Sequence, residues 1–358
     1  MKRRPLRIAL IASCRHPIRQ PFAGGLEAHV WHLARSLAEG GHAVSLFAGP
    51  GSDPDLGTTA LPVRTVALSA VAQTDSSMPS AEFLREHHAY LALMLTLSKH
   101  GAQDFDIVHN HSLHYLPVAM APALATPMLT TLHTPPTPWL ESAIAAAGHT
   151  AHRFAAVSAH TATAWTHAVT PLPVIHNGID ARNWPLGPGG HRLVWFGRIT
   201  AEKAPHLAID AARHARRPIT LAGPISDSRY FDDRIRPALG PDVHYAGHLT
   251  QDRLAELVGR AAVALVTPAW DEPYGLVVPE AMCCGTPVVA FARGGIPELV
   301  TREAGRLVHR TDASAMAEAI AEAAGLDRTK VRAHAVRNCS SQSMVRAYLQ
   351  LYRTMIAD

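Results

Sequence analysis

Short runs of β-branched and aliphatic residues alternate with amphipathic stretches along the whole chain. Residues 6–12 (LRIALIA) are almost wholly apolar, the pattern of a strand buried on both faces. A loop ending in Ala23-Gly24-Gly25 follows. Leu26, Val30, Leu33, Ala34 and Leu37 then recur at helical spacing and predict a helix over 26–39, stopped by Gly40-Gly41. Further strands are expected at 42–47 and 63–68. Pro79-Ser80 opens a long amphipathic helix over 80–99. Strands at 106–109, 128–133 and 154–157 follow, with helical segments between them.

The second half repeats this alternation. Strands are expected at 192–196, 219–222, 243–246, 263–266, 287–290 and 306–308, and helices near 203–215, 251–260, 275–284 and 313–324. Strands separated by helices give parallel sheets covered on both faces. The expected class is therefore α/β, two doubly wound Rossmann-like domains facing across a cleft. The stretch 177–190 holds four Gly and two Pro with weak periodicity. It divides the chain into an N-terminal domain, 1–178, a linker, 179–190, and a C-terminal domain, 191–340. A last helix, about 341–358, carries Met344, Tyr348, Leu351, Tyr352 and Met355 on an apolar face that must pack, and the N-terminal domain is its expected partner. Open α/β sheets bind ligands at the carboxyl ends of their strands.

Composition narrows the class. A chain of 358 residues with 47% hydrophobic and 17% charged residues supports two cores and is not disordered. No run approaches the ~18 apolar residues of a membrane span. The apolar stretch 8–12 after the basic start is too short for a signal peptide. Lys2, Arg3, Arg4 and Arg7 read as a solvated tail, so membrane association is not favoured. The cysteines, Cys14, Cys283, Cys284 and Cys339, contain no C-x-x-C pair, which fits reduced thiols, a cytoplasmic protein and no zinc framework. The net charge of +4 suits an anionic small ligand, and no basic stripe interleaved with aromatics suggests nucleic acid.

The richest segment chemically is Trp270-Asp-Glu-Pro-Tyr-Gly-Leu-Val-Val-Pro-Glu-Ala281, after a strand and opening a helix. Glu272 precedes the turn and Glu280 lies in the helix. Between them, the amides of Gly275, Leu276 and Val277 sit at a helix start, where free N–H groups favour phosphate. Carboxylates flanking an anion site suit a molecule with hydroxyls at both ends and phosphates between, such as a nucleotide sugar. The bland alternative is that both acids stabilise the helix start. In Trp195-Phe-Gly-Arg-Ile-Thr-Ala-Glu-Lys203, a strand ends near Gly197, so Arg198 and Lys203 emerge together. Two cations there can neutralise a diphosphate, or they are ordinary surface charges. Gly24-Gly25 lies at the first strand–helix turn, where backbone can approach a ligand closely. It lacks the G-x-G-x-x-G pattern of nicotinamide sites. His133 ends an apolar strand and is either a cleft residue or a satisfied core histidine. Asp104-Phe-Asp106 reads as a strand-entry turn rather than a metal motif. His109-Asn-His111 resembles a metal pair with no third ligand at suitable spacing, so no metal site is expected.

Together these residues resemble a family 4 glycosyltransferase of the GT-B architecture. The resemblance rests on Glu272-x7-Glu280 with Ala281-Met-Cys-Cys-Gly-Thr-Pro-Val-Val289, on Phe196-Gly-Arg198, Lys203, Asn177-Gly-Ile-Asp180 and Gly24-Gly25-Leu-Glu27. It implies that Glu272 contacts hydroxyls of the transferred sugar and Glu280 the ribose. Arg198 and Lys203 would bind the diphosphate, approached by Gly24 and Gly25, with His133 beside the sugar. The chain departs from the family pattern at Ala204-Pro205, where Gly is common, at Tyr274, where Phe is frequent, and at Cys283-Cys284.

The expected function is retaining, metal-independent transfer of a hexose or N-acetylhexosamine. The donor is a nucleotide-diphospho-sugar, UDP first and GDP second, acting as co-substrate with no cofactor. The acceptor is a hydroxyl of a sugar, a natural product or another small molecule. Alternatives are a nucleotide-sugar epimerase or sugar phosphorylase on the same fold, or a non-catalytic nucleotide-sugar binder. Base contacts are expected from the loops near 222–224 and 246–250.

Overall fold

The computed structural model describes residues 4–61, 67–75, 77, 79–148 and 152–357. Its first sheet contains β1 (Arg7–Ile11), β2 (Ala43–Ala48), β3 (Thr58–Ala60), β4 (Ile107–Asn110), β5 (Met128–Leu132) and β6 (Arg153–Ala156). The helices α1 (Gly25–Glu39), α2 (Ala81–Asp104), α3 (Tyr115–Met120), α4 (Pro138–Ala147) and α5 (Ala159–Trp165) connect and cover it. The second sheet contains β7 (Leu193–Phe196), β8 (Ile219–Ala222), β9 (Val243–Tyr245), β10 (Val263–Val266), β11 (Val288–Phe291) and β12 (Gly305–Val308). Around it lie α6 (Pro205–His214), the single turn α7 (Ser228–Tyr230), α8 (Gln251–Gly259), α9 (Val277–Cys283), α10 (Ala313–Ala323) and α11 (Arg328–Asn338), and the chain ends in α12 (Ser341–Ala357).

Both sheets are parallel and share one topology. The first runs β3-β2-β1-β4-β5-β6, and the second, read from its other edge, β9-β8-β7-β10-β11-β12. In each, the chain starts at a central strand, winds to one edge and then reverses to the other. The switch points therefore lie beside β1 and β7, where the strand order opens a crevice at the carboxyl ends. The strands are short, four or five residues in most cases, and those in the middle of each sheet, β1, β4, β5, β7, β8, β10 and β11, are buried almost throughout. Burial on both faces is why they read as continuous apolar runs rather than alternating ones.

The two halves are joined twice, at one place. Ile179 and Ser340 form a parallel bridge, with the Ile179 N–H donating to the Cys339 carbonyl at 2.7 Å and the Ser341 N–H to the Ile179 carbonyl at 3.1 Å. A Cβ on Gly178 would stand 2.5 Å from the Ser341 Cα, so glycine is what lets the two crossings touch. Beyond the crossing, Met344, Tyr348, Tyr352 and Met355 of α12 join the core formed by β1, β2 and α1. The segment 179–190 is not a free tether. Trp184 is buried in the second core, and Gly187 and Gly189 donate to the Cys284 and Gly259 carbonyls at 3.0 and 2.9 Å. It is a strap bound to the C-terminal half.

Most of the expected strand at 63–68 lies outside the described residues. Strand β3 comes earlier, a three-residue edge strand too short to leave a periodic signal. Helix α2 runs on to Asp104, and α9 begins at Val277 rather than 275.

Candidate functional site

The candidate residues lie in loops leaving the carboxyl ends of strands or in the first turns of the helices that follow. The β1–α1 loop brings Gly24 and Gly25, and the end of β5 brings His133. The β7–α6 loop brings Arg198 and Lys203. The β10–α9 loop brings Glu272, Gly275, Leu276 and Val277, and α9 itself carries Glu280. All of these residues line one cleft between the halves, with a cavity volume of about 330 Å³.

The glycine pair stands where the two halves approach, and Gly24 has extended backbone with φ −168°, which any residue adopts. A Cβ on Gly24 would lie 3.6 Å from Arg198 Cδ, and one on Gly25 would lie 3.1 Å from Leu276 Cδ1. The N-terminal half therefore meets the cationic and amide-bearing loops of the C-terminal half at this turn. Gly275 is different: its φ of +90° is a conformation that residues with a Cβ rarely adopt. That turn starts α9 and leaves the amides of Gly275, Leu276 and Val277 at its N-terminus.

Lys203 ion-pairs with Glu272, and the same carboxylate oxygen accepts the Trp270 indole N–H at 3.0 Å. The Lys203 ammonium also lies over the Trp270 ring, 5.0 Å from its centre. Arg198 pairs more loosely with Glu202 at 2.8 Å, both about half exposed. Glu280 faces the cleft with no hydrogen-bond partner among the described residues, and burial pushes its carboxyl up to about 8. Asn177 also lines the cleft, buried, with its side-chain oxygen lacking a protein partner. The loops expected near a base contribute Gly223, Pro224, His248 and Leu249 to the wall.

Two departures from the family pattern have structural consequences. Ala204 caps α6 with φ 47° and ψ 52°, a left-handed conformation that suits the glycine common there. The Tyr274 hydroxyl donates to the Asn177 carbonyl at 2.7 Å, tying the Glu272 loop to the interdomain crossing. The loop is also held from the N-terminal half, by the Ser158 hydroxyl donating to the Pro273 carbonyl at 2.6 Å.

The family model described as Glycosyltransferase Family 4 matches residues 23–183, and that described as Glycosyl transferases group 1 matches residues 190–325. A glycogen synthase of Mycobacterium tuberculosis is 30% identical over 317 residues, covering 77% of this chain and 76% of the relative. The chain belongs to the group 1, family 4 glycosyltransferases.

This glycosyltransferase is also 27% identical to a D-inositol 3-phosphate glycosyltransferase of Mycolicibacterium gilvum, across 99% of this chain and 90% of the relative. Among solved structures it is similar to AviGT4, a glycosyltransferase involved in avilamycin A biosynthesis. The TM-score is 0.74 at 25% identity, covering 99% of this chain and 98% of that one. The fold is shared with Anabaena HepE, solved with UDP and glucose, at TM-score 0.75 and 17% identity, covering 98% and 100% of the two chains. The architecture is GT-B.

Other expectations need correction or completion. The pair at His109 and His111 does have further histidines beside it. His29 arrives from α1 and His133 from the end of β5, and the His111 Nδ1 lies 2.9 Å from the His133 Nε2. Ligands from separate elements leave no spacing signal in the sequence. Asp106 is held by Arg7, whose guanidinium donates to it at 2.8 Å, as a strand-entry turn requires. Trp270 and His32 line the cleft and were not singled out from the sequence. Trp270 was legible only as a neighbour of Glu272, and His32, one of 23 histidines, carried no signal of its own.

Proposed function

We propose that this glycosyltransferase moves a hexose or N-acetylhexosamine from a nucleotide-diphospho-sugar to a hydroxyl of a sugar, natural product or other small molecule, with retention. The observation that carries the reading is the convergence of Arg198, Lys203, Glu272 and Glu280 on one cleft between facing sheets. In this reading Arg198, Lys203 and the amides of Gly275, Leu276 and Val277 hold the diphosphate. The backbone of Gly24 and Gly25 closes on it from the other half. Glu280, unpaired and facing the cleft, accepts from the ribose hydroxyls, and Glu272 from those of the transferred sugar. His133 lies at the sugar's other side.

The bond from the sugar C1 to the β-phosphate oxygen breaks, and its electron pair leaves with the nucleoside diphosphate. Preorganised cations stabilise the charge as it develops, so the diphosphate needs no metal ion. The acceptor oxygen bonds to C1 on the face the phosphate leaves, and its proton passes to the departing phosphate oxygen. The HepE complex with UDP-glucose supports UDP as first donor and leaves GDP second. The inositol-phosphate and avilamycin relatives support a small acceptor.

A thermal-shift panel of UDP, GDP, ADP and dTDP, with wild type beside Glu280→Ala, tests the donor site. A ligand of the folded state raises apparent stability according to its affinity. One nucleotide should stabilise wild type, and the variant should lose that shift. If no nucleotide shifts melting at millimolar concentration, the donor reading fails. The configuration of the new linkage, read by NMR, decides retention.

A further inference from the structure

Reaching inward from the cleft wall, the N-terminal half holds a cluster of four histidines, three of them buried and His133 partly exposed at the cleft, that handling of the diphosphate does not use. His29 comes from α1, His109 and His111 from β4 and just beyond it, and His133 from just beyond β5. The ring centres of His29, His111 and His133 form a nearly equilateral triangle. The sides are 5.2 Å from His29 to His111, 5.1 Å from His29 to His133 and 5.2 Å from His111 to His133. One nitrogen from each ring lies within 4.8 Å of the other two. A tetrahedral ion at about 2.0–2.1 Å from each nitrogen, and so about 3.2 Å from each ring centre, holds those centres roughly 5.2 Å apart. All three sides of the triangle agree with that figure.

Two independent observations point to a ligand. His29 is 3% exposed, and neither of its ring nitrogens has a protein hydrogen-bond partner. Buried polar atoms are ordinarily satisfied, so such a ring marks a site for something the protein does not supply. His111 is also held in place from behind. Its Nε2 lies 3.1 Å from His109 Nδ1, which is 2.6 Å from the Tyr352 hydroxyl, while His109 Nε2 is 2.8 Å from Thr131 Oγ1. With the proton on His111 Nε2, the Nδ1 lone pair points at His133. Outer partners of this kind fix the tautomer and orientation of metal-binding imidazoles.

We propose that His29, His111 and His133 bind one divalent transition-metal ion of the zinc class, with His109 and Tyr352 positioning His111. An all-imidazole set suits zinc and its borderline neighbours, not magnesium or calcium, which take oxygen ligands. On binding, the proton that His111 Nδ1 and His133 Nε2 share moves to His133 Nδ1, and both inner nitrogens turn to the ion. The ion ties α1, β4 and β5 together under the residue that faces the cleft. The proposal shares only His133 with the donor reading above, and its test reads metal rather than nucleotide binding, so the two can fail separately.

The test uses the full chain expressed without a histidine tag, because 23 native histidines already offer weak surface sites. Zinc affinity is measured by competition with a chromophoric chelator, and stoichiometry by elemental analysis. Cobalt is then substituted, and its visible absorption reports coordination geometry. The expected result is one ion per chain, a submicromolar dissociation constant and the intense bands of tetrahedral cobalt. His29→Ala and His111→Ala should each weaken binding at least 100-fold, while His87→Ala on α2 leaves it unchanged. Should His111→Ala fail to fold, His29→Gln and the cobalt spectrum of wild type decide alone. Absence of stoichiometric binding, an octahedral cobalt spectrum, or affinity unaffected by the His29 substitution overturns the proposal.

Discussion

Lys203 and Glu272 form an ion pair in the cleft, although the proposed function assigns one to the diphosphate and the other to the sugar hydroxyls. Both are largely screened from solvent, at 20% and 15% exposure, so neither charge is well hydrated alone. Trp270 holds the carboxylate from a second direction and stacks under the ammonium. The pair holds both groups in position, and under the proposed function the diphosphate would give Lys203 a second anion.

From this arrangement the two truncations should separate. Lys203→Ala should lower kcat/KM by about 10²–10³-fold, the usual loss for one preorganised group facing developing charge. It should also weaken the thermal shift given by the stabilising nucleoside diphosphate. Glu272→Ala should lower kcat comparably while leaving that shift nearly intact, because the proposed function gives it the sugar as partner. A double-mutant cycle should show the two effects to be non-additive, since the residues touch. Equal loss of nucleotide binding in both variants would contradict these roles.

Glu280 gives a pH prediction with a definite sign. Burial raises its carboxyl from the usual 4.5 to about 8. Between those values the folded chain holds a proton that the unfolded chain has released, so stability falls as pH rises through that window. Glu280→Gln removes the penalty. The variant should match wild type near pH 4.5 and be the more stable by a growing margin toward pH 8, on the order of a few kcal/mol at about 1.4 kcal/mol per unit. Nucleotide affinity should run the other way in wild type, increasing with pH, if ribose hydroxyls donate to the carboxylate as the proposed function has it. Urea denaturation and nucleotide titrations at matched pH values check both halves. A flat stability difference would show that Glu280 is ionised throughout.

The carboxyl-terminal loops of β7 and β10 were legible because their chemistry is local. Arg198, Lys203, Glu272 and Glu280 stand next to strand ends that are apolar throughout, so the sequence carries both the group and its position. The histidine triangle was not legible, because His29, His111 and His133 come from three elements that only tertiary packing unites. Helix α11 escaped for another reason. It lacks a strong apolar stripe, and Arg328 and Arg332 hold it by donating to backbone carbonyls, an interaction without periodicity. The strap over 179–190 looked like a tether because its glycines are turn formers by composition. In the structure they permit close packing: a Cβ on Gly187 would lie 2.3 Å from the Gly259 Cα.

Gly275 and Ala204 make a contrasting pair for stability. Gly275→Ala places a side chain at φ +90°, with Ile296 Cγ1 only 3.1 Å from the new Cβ. The left-handed conformation alone costs roughly 1–2 kcal/mol, and the contact adds to it. Ala204 already bears such strain at φ 47°. Ala204→Gly should therefore relieve about as much as it loses through the buried methyl and the freer unfolded chain, a net change within about 1 kcal/mol. Chemical denaturation of both variants tests the contrast. A Gly275→Ala protein as stable as wild type would mean that the turn relaxes, and its activity would then report whether the amides at the start of α9 have moved.

Arg328 concentrates more bonds than any single surface charge could. Its guanidinium donates to the carbonyls of Gly187, Gly259, Ala261 and Cys284 and to the Thr286 hydroxyl, at 2.9 to 3.2 Å. These acceptors belong to the strap, to the end of α8 and beyond it, and to the loop before β11. One planar fork thus fastens three segments, and two of its acceptors, the Gly259 and Cys284 carbonyls, also take the N–H groups of Gly189 and Gly187 in the strap. Hydrogen bonds to charged groups contribute about 1.5–3 kcal/mol each, and buried acceptors left bare cost about 1–3 kcal/mol. Arg328→Ala should accordingly destabilise the chain by about 3 kcal/mol or more, well beyond a surface truncation. Arg328→Lys should recover little, because a point ammonium cannot reach acceptors spread around a fork. Urea unfolding followed by tryptophan fluorescence would measure both. If lysine restored most of the stability, charge rather than geometry would be holding the strap.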